Sequence, residues 1–410
     1  MITVNDMGTA LDKSDSLSWY YVVFFTLLGM PFLHINQVLT FAAVFAVILL
    51  IYEFCTGNYR IDRYAVVVLA FFTLGEAMAL FKCPDLVRTL KSSVEKYFVI
   101  LILYPLMLTT IDTEHKRTQA CNCFKYGCLI SAVFVWISYF TTIRIGFISS
   151  GFKTHRLILS GYGPNVVARL FCIGSLIALY QAQTSEKKRT RVIRYIEFII
   201  IGFAVISTIS MSGIILFLLG TIVIYCTYNN AFKRNGLLQV FLVVCIAAIA
   251  GLYLYMNVDQ IRTIADNYLF RVNVVNQNDV TNGRMEGLIA AYNEGSSYCL
   301  FGLGYGCSHY LAGKTIHFPL IAALPETGLF GFISVVCQYG TLLHRDLSNL
   351  RYNSDFYAIL SVLIMIGDMI QPNPNYLFTW FAIIIGAVPI YKDVVGIDRS
   401  CTNSIISRYL

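Results

Sequence analysis

Charge is scarce in this chain. Only 13% of its 410 residues are Asp, Glu, Lys or Arg, against roughly 25% in an ordinary soluble domain, which excludes water as the main solvent. Also missing is any polar block long enough to fold on its own, because apolar runs recur from Leu17 to Tyr391. A length that would suit two or three soluble domains is therefore read as a single membrane domain, residues 1–410. No cleavable leader is evident either. Met1 to Ser16 is polar and of mixed charge, and no A-x-A-like site follows the first apolar run, so that run is expected to stay as an anchor.

What is present is apolar, 57% of the chain. The net charge of +7 comes from Lys and Arg in short clusters between apolar runs. That is the pattern of the positive-inside bias, and it makes nucleic acid an unexpected partner. Twelve cysteines imply no disulfide framework, since Cys55, Cys172, Cys226, Cys245 and Cys337 lie within apolar runs and act there as small buried hydrophobes. Cys121, Cys123 and Cys128 cluster near basic residues, but the distant His115 is the nearest further ligand type. Neither a metal nor another cofactor is expected.

A membrane-spanning helix needs about 20 mainly apolar residues, because its backbone polar groups must be satisfied within the segment. About twelve candidates result, at approximately 17–34, 37–55, 64–81, 97–111, 128–148, 164–182, 196–210, 212–228, 237–256, 319–342, 356–370 and 376–391. The seventh and eighth, separated near Met211, are a tight hairpin or one broken segment. The fold class is thus all-α and polytopic. The strongest basic cluster, Lys187, Lys188, Arg189, Arg191 and Arg194, sets its loop as cytoplasmic. The same side then receives Arg60, Arg63, Lys116, Arg117, Lys125, Lys233, Arg234, Arg345, Arg351 and both termini. Residues 82–96 object: they carry Lys82, Arg88, Lys91 and Lys96 yet fall on the outer side. The longest connection, approximately 257–316, is an outer loop before the tenth segment, and loops of such length usually carry function. No internal repeat relates the two halves, which disfavours the commonest transporter architectures.

The informative stretch lies within and after that loop: TNGRMEGLIAAYNEG (281–295), CLFGLGYGCSHY (299–310) and TIHFPLIAALPETGLFGF (315–332). In order and spacing these resemble the C-terminal signature of the O-antigen polymerase and O-antigen ligase superfamily. The matching elements are Gly283-Arg284, Gly302 to Gly306, His317, and Glu326-Thr327-Gly328-Leu329-Phe330-Gly331. A second similarity is SGYGPNVVA (160–168), which resembles the family's "G-x-x-N-P-N-x-x-A" turn and follows Arg156. One departure stands out. Where members carry an Arg after "T-x-S", this chain has Met211 after Thr208-Ile209-Ser210, and Arg156, Arg169 or Arg144 is left to supply that charge.

The resemblance implies transfer of a glycan from a polyprenyl-pyrophosphate carrier to an acceptor glycan or lipid, on the outer face of a bacterial cytoplasmic membrane. A chain-length regulator protein is a further expected partner. A diphosphate leaving group calls for fixed positive charge, and Arg offers a planar, permanently charged fork. Arg284 is the first choice for that role, and His317 for general base towards an acceptor hydroxyl. Arg156, Arg169, Asn165 and Glu326 are substrate-binding candidates, with snorkelling anchors the competing reading for the two arginines. Glu326 lies nine residues beyond His317, about 13 Å at the helical rise, out of contact unless Pro319 and Pro325 bend the segment. Asp368, an ionisable residue inside an apolar run, is costly and by default a functional hypothesis. His34 and His309 lack motif support and are read as satisfying local hydrogen bonds. Cys299 and Cys307 are a possible disulfide pair in an oxidising compartment. Polymerase is preferred to ligase. A repeat-unit flippase or other transporter, which should carry charges along a central path at mid-membrane depth, is the alternative, and a non-catalytic scaffold the third reading.

Overall fold

The computed structural model of the chain describes residues 16–34, 39–141, 148–150, 157–159, 162–228, 255–278, 289, 293, 296–298, 300–312, 316, 318–353, 355–370 and 376–388. Among them the helices run α1 Trp19–Leu28, α2 Phe41–Cys55, α3 Arg63–Ala79, α4 Leu86–Thr110, α5 Glu114–Phe140, α6 Pro164–Thr184, α7 Lys188–Ser207, α8 Met211–Tyr228, α9 Asp259–Asn278, α10 His309–Ala312, α11 Pro319–Asn353, α12 Phe356–Ile370 and α13 Leu377–Ala387. One antiparallel ribbon, β1 Ile148–Ser150 with β2 Leu157–Leu159, precedes α6. Five helices, α4, α5, α6, α8 and most of α11, are long and apolar enough to cross a membrane by length and composition. Large apolar side chains such as Phe54, Ile199, Ile215 and Val87 point outward. This is a mainly helical chain of the membrane type.

Eleven of the predicted segments overlap helices, the first only over Trp19–Leu28 although residues 29–34 are also described, and the ninth, 237–256, falls almost wholly outside the described residues. The boundaries shift most where charge was read as loop. Residues 86–96 are helical and begin α4, and Lys116, Arg117 and Lys125 sit within α5. The seventh and eighth segments are two helices joined by the turn Thr208–Ser210. Within the long 257–316 connection, α9 takes up Asp259–Asn278.

Small residues and buried hydrogen bonds, which hold helices together where apolar burial gives little drive, fix α3 against α11. Gly75 meets the backbone of Thr327 and Gly331 so closely that a Cβ would collide with it. Further along, the Ser334 hydroxyl donates to Val68 O at 2.8 Å, Tyr64 to Gln338 O at 2.7 Å, and Arg345 pairs with Asp62 at 3.0 Å. The two helices are therefore antiparallel, with Gly75 and Arg345 marking opposite ends of the bundle. α4 contains a π turn at Val99–Leu103 just before Pro105. Proline cannot donate to Leu101 O, four residues back; the Tyr59 hydroxyl does so instead, at 3.0 Å.

Several cations at the Arg345 end are neutralised. Lys116 pairs with Asp112 at 2.8 Å, and Arg117 with Glu114 at 2.6 Å and Asp355 at 2.8 Å. Deeper in the helices, buried Lys125 is held by Glu197 at 2.6 Å. The Gly75 end is built differently.

Candidate functional site

At the Gly75 end, the glycine-rich turn is locked to a break in α11. The break falls at Gly328 (φ 64°, ψ −167°), not at Pro319, where the helix begins, or at Pro325, which it runs through. A helix ending leaves its last carbonyls without intrahelical donors. Two of them are taken by the turn: Leu303 N–H donates to Pro325 O at 2.8 Å and Gly304 N–H to Glu326 O at 2.7 Å. The buried Glu326 carboxylate accepts Ser308 N–H at 3.1 Å. Gly302, Gly304 and Gly306 all have positive φ (67°, 104° and 81°), a region other residues avoid. On Gly304 and Gly306 an added Cβ would also strike Thr89 and Ser92 of α4. Glycine is thus required twice over, by backbone conformation and by the close approach of α4.

The first half of α4 is the missing partner of that turn. Its buried stripe, Thr89, Ser93 and Lys96, follows i, i+4, i+7 spacing and faces inward. Thr89 lies between Cys83 and Cys307, with oxygen–sulfur distances of 3.1 and 3.3 Å. Cys307 is a free thiol, and burial pushes its pKa up to about 11; its candidate partner Cys299 lies outside the described residues. Ser93 donates to buried Glu76 at 2.6 Å. Lys96 is 1% exposed, donates to Gln338 Oε1 and lies 5.0 Å from the Trp380 ring centroid.

A second arm contains α6 and α12. Arg169, one helical turn below Asn165, forms a buried ion pair with Asp368 and also donates to Gly367 O at 3.2 Å. The other Asp368 oxygen accepts the Tyr339 hydroxyl, so α6, α11 and α12 meet on one carboxylate. Asn165 accepts the Ser210 hydroxyl at 2.7 Å, and Ser210 caps α8 by accepting Gly213 N–H at 3.2 Å. The two motif fragments 160–168 and 208–211 therefore touch. Their joint includes a buried, strained residue, since Ile209 has φ 51° and a β-branched side chain there is a genuine outlier. Met211 itself is 41% exposed.

Tyr305 joins the arms. This buried residue of the glycine-rich turn packs its ring 5.4 Å from Phe72 and lies within electrostatic reach of Glu326, Glu76, Glu95 and Asp368. Burial and the neighbouring carboxylates push its hydroxyl pKa well up. Beside it, Tyr162 and Tyr376 meet edge to face at 5.2 Å, both near Glu95.

Of the predicted site residues, Arg169, Asn165 and Glu326 are brought to this end, while Arg284, His317 and Arg156 lie outside the described residues. So does Arg144. His317 follows buried Ile316, whose N–H reaches Ser308 Oγ at 3.4 Å. His309, read as a local hydrogen-bonding residue, faces Arg88 at 3.4 Å. Sequence reasoning missed Lys96, Gln338, Tyr339, Glu76 and Glu95; the signal available for the α4 members was the i, i+4, i+7 spacing of polar residues in 86–96. No protein-family model matches the chain, and no curated protein matches it.

Proposed function

We propose that the chain is a membrane glycosyltransferase-like polymerase, joining polyprenyl-pyrophosphate-linked oligosaccharide repeats on the outer face of a bacterial cytoplasmic membrane. The observation that carries this reading is the gathering of separate motif fragments at one end of the bundle. The glycine-rich turn is bonded to the Glu326–Gly328 break, and the Asn165 turn to Ser210. Under this reading about twelve segments cross the membrane, the Gly75 end is the outer one, and both termini are cytoplasmic. The basic residues of 82–96 then belong to the site rather than to the charge bias that orients the chain.

In the proposed reaction, an acceptor hydroxyl attacks the anomeric carbon of the donor sugar, the bond to the carrier diphosphate breaks, and the hydroxyl proton passes to His317. Arg284 stabilises the charge that develops on the departing diphosphate, the kind of contribution that often dominates catalysis. Glu326 holds the turn rather than reacting, because its carboxylate is engaged by Ser308. Ligation of a finished glycan to a lipid acceptor uses the same chemistry and is the first alternative.

A specific observation favours a second reading. Lys96, Arg169 and Asp368 are buried among α4, α6, α11 and α12, as the charges of a transport path would be. A strain lacking its own copy, complemented with wild type, Arg284→Ala or His317→Ala at matched abundance, separates the readings. Loss of chain extension with single repeats still reaching the acceptor supports the polymerase. Long chains accumulating on the carrier support the ligase, and unchanged glycans with both variants leave the transporter.

A further inference from the structure

Exposed cations occur at both ends of the bundle. At the Arg345 end Lys116, Arg117 and Arg345 each have a carboxylate within 3.0 Å, while Arg60 and Arg63 are exposed and among the described residues have none. At the Gly75 end Lys82, Arg88 and Lys91 are exposed, and among the described residues none has a carboxylate within ion-pair distance. The nearby Asp85 does not neutralise them: its Oδ1 caps the helix by accepting Arg88 N–H at 3.0 Å.

Arg88 is also held in place. Its Nε lies 4.0 Å from where a Cβ on Gly306 would be, its guanidinium meets His309 Nε2 at 3.4 Å, and its charge reaches Glu326. With Nε2 accepting from Arg88, the His309 proton sits on Nδ1, and that buried nitrogen has no acceptor among the described residues. His309 thereby holds the guanidinium, whose remaining N–H groups form a fork suited to phosphate oxygens.

The same face of α4 continues through Ser92 to Glu95, at i, i+4, i+7 from Arg88. Seven residues of helix span about 10 Å. At the far end Glu95 lies near the paired rings of Tyr162 and Tyr376, all three half-buried. A carboxylate beside aromatic faces is suited to a sugar, whose hydroxyls donate to the acid while its C–H face packs on the rings. Beyond Lys91 on the helix surface Val87 and Val94 are exposed, which puts apolar surface next to the cations.

We infer that this face of α4 is the docking site for the lipid-linked donor: the diphosphate at Arg88, which His309 holds in place, and the first sugar about 10 Å along at Glu95 and the Tyr162–Tyr376 pair. The inference rests on the glycosyl-transfer reading for the identity of the ligand. It adds residues that no motif of the resemblance contains.

The test uses the full chain, purified in lipid nanodiscs, with a sugar-bearing polyprenyl diphosphate and a sugar-free polyprenyl diphosphate as probes. Expected is that Arg88→Gln weakens both at least about tenfold and Glu95→Gln weakens only the sugar-bearing probe. Thermal midpoints should match wild type, because neither side chain is fully buried. Should Arg88→Gln fail to accumulate, Arg88→Lys, which keeps the charge but not the fork, is expected to weaken both probes severalfold. Wild-type binding that neither variant alters overturns the docking site alone, as does a Glu95→Gln loss that is equal for both probes. Absence of wild-type binding to the sugar-bearing probe overturns the glycosyl-transfer reading with it.

Discussion

Removing the carboxylate of Asp368 is expected to expose how much of the bundle depends on one buried ion pair. Asp368 is 0% exposed, pairs with Arg169 and accepts from Tyr339. Asp368→Leu leaves a guanidinium buried without its counter-ion, and Arg169→Met leaves a carboxylate in the same condition. Breaking such a pair from one side costs about 3–5 kcal/mol, or about two to three decades in the folding equilibrium. Replacing both partners by apolar residues of similar volume is often neutral, so the double variant should recover most of the loss, short of wild type by about 1–3 kcal/mol for the buried Tyr339 hydroxyl left without its acceptor. The assay is denaturant unfolding of the four proteins in micelles, followed by circular dichroism and combined as a double-mutant cycle. Additive losses, with the double variant as unstable as the sum of the singles, would refute the pairing. The same double variant separates two roles for Arg169: recovered stability with lost glycan extension assigns it to substrate, and recovery of both makes it a clamp.

Three further outcomes follow from the geometry. Gly304→Ala combines a positive φ with a collision against Thr89, and should cost about 2–4 kcal/mol from strain and overpacking; adding Thr89→Ala should return only the steric part, and a wild-type thermal midpoint for the single variant would contradict the turn geometry. Gln338→Leu leaves Lys96 Nζ without its acceptor, a loss of about 1–3 kcal/mol, which Lys96→Met should largely reverse; equal unfolding midpoints for wild type and Gln338→Leu would show that the contact carries no weight. Cys307, with its pKa pushed up to about 11, should resist a charged maleimide at pH 7.5 while the exposed Cys55 reacts. Because the folded protein favours the protonated thiol, that contribution is complete below about 8.5, the ordinary thiol value, and is lost as pH rises to about 11; labelling of Cys307 as fast as Cys55 at pH 7.5 would contradict its burial.

Much of the helical layout is readable from hydropathy alone, because a segment that must satisfy its own backbone in lipid announces itself by length and composition. The first half of α4 was not, since Arg88, Lys91, Glu95 and Lys96 lower its mean hydropathy to that of a loop. Its helical period becomes visible only when the polar and apolar stripes are read separately. Asp368 and Arg169 each stand out as charges in apolar surroundings. Their pairing does not, because 199 residues separate them and nothing local specifies which acid meets which base. The glycines at 302, 304 and 306 mark a turn; what presses on them, Thr89 and Ser92, comes from an element more than 200 residues earlier. The break in α11 lies at neither Pro319 nor Pro325 but at Gly328, where positive φ ends the helix more sharply than a missing N–H.

The most direct test of the proposed activity is reconstitution. The purified chain, placed in liposomes with a repeat unit linked to polyprenyl diphosphate and with no other protein, should convert that unit into a ladder of longer glycans and release carrier diphosphate, and Arg284→Ala and His317→Ala should abolish both. Movement of the intact repeat unit across the bilayer without any ladder would contradict the polymerase and establish a transporter.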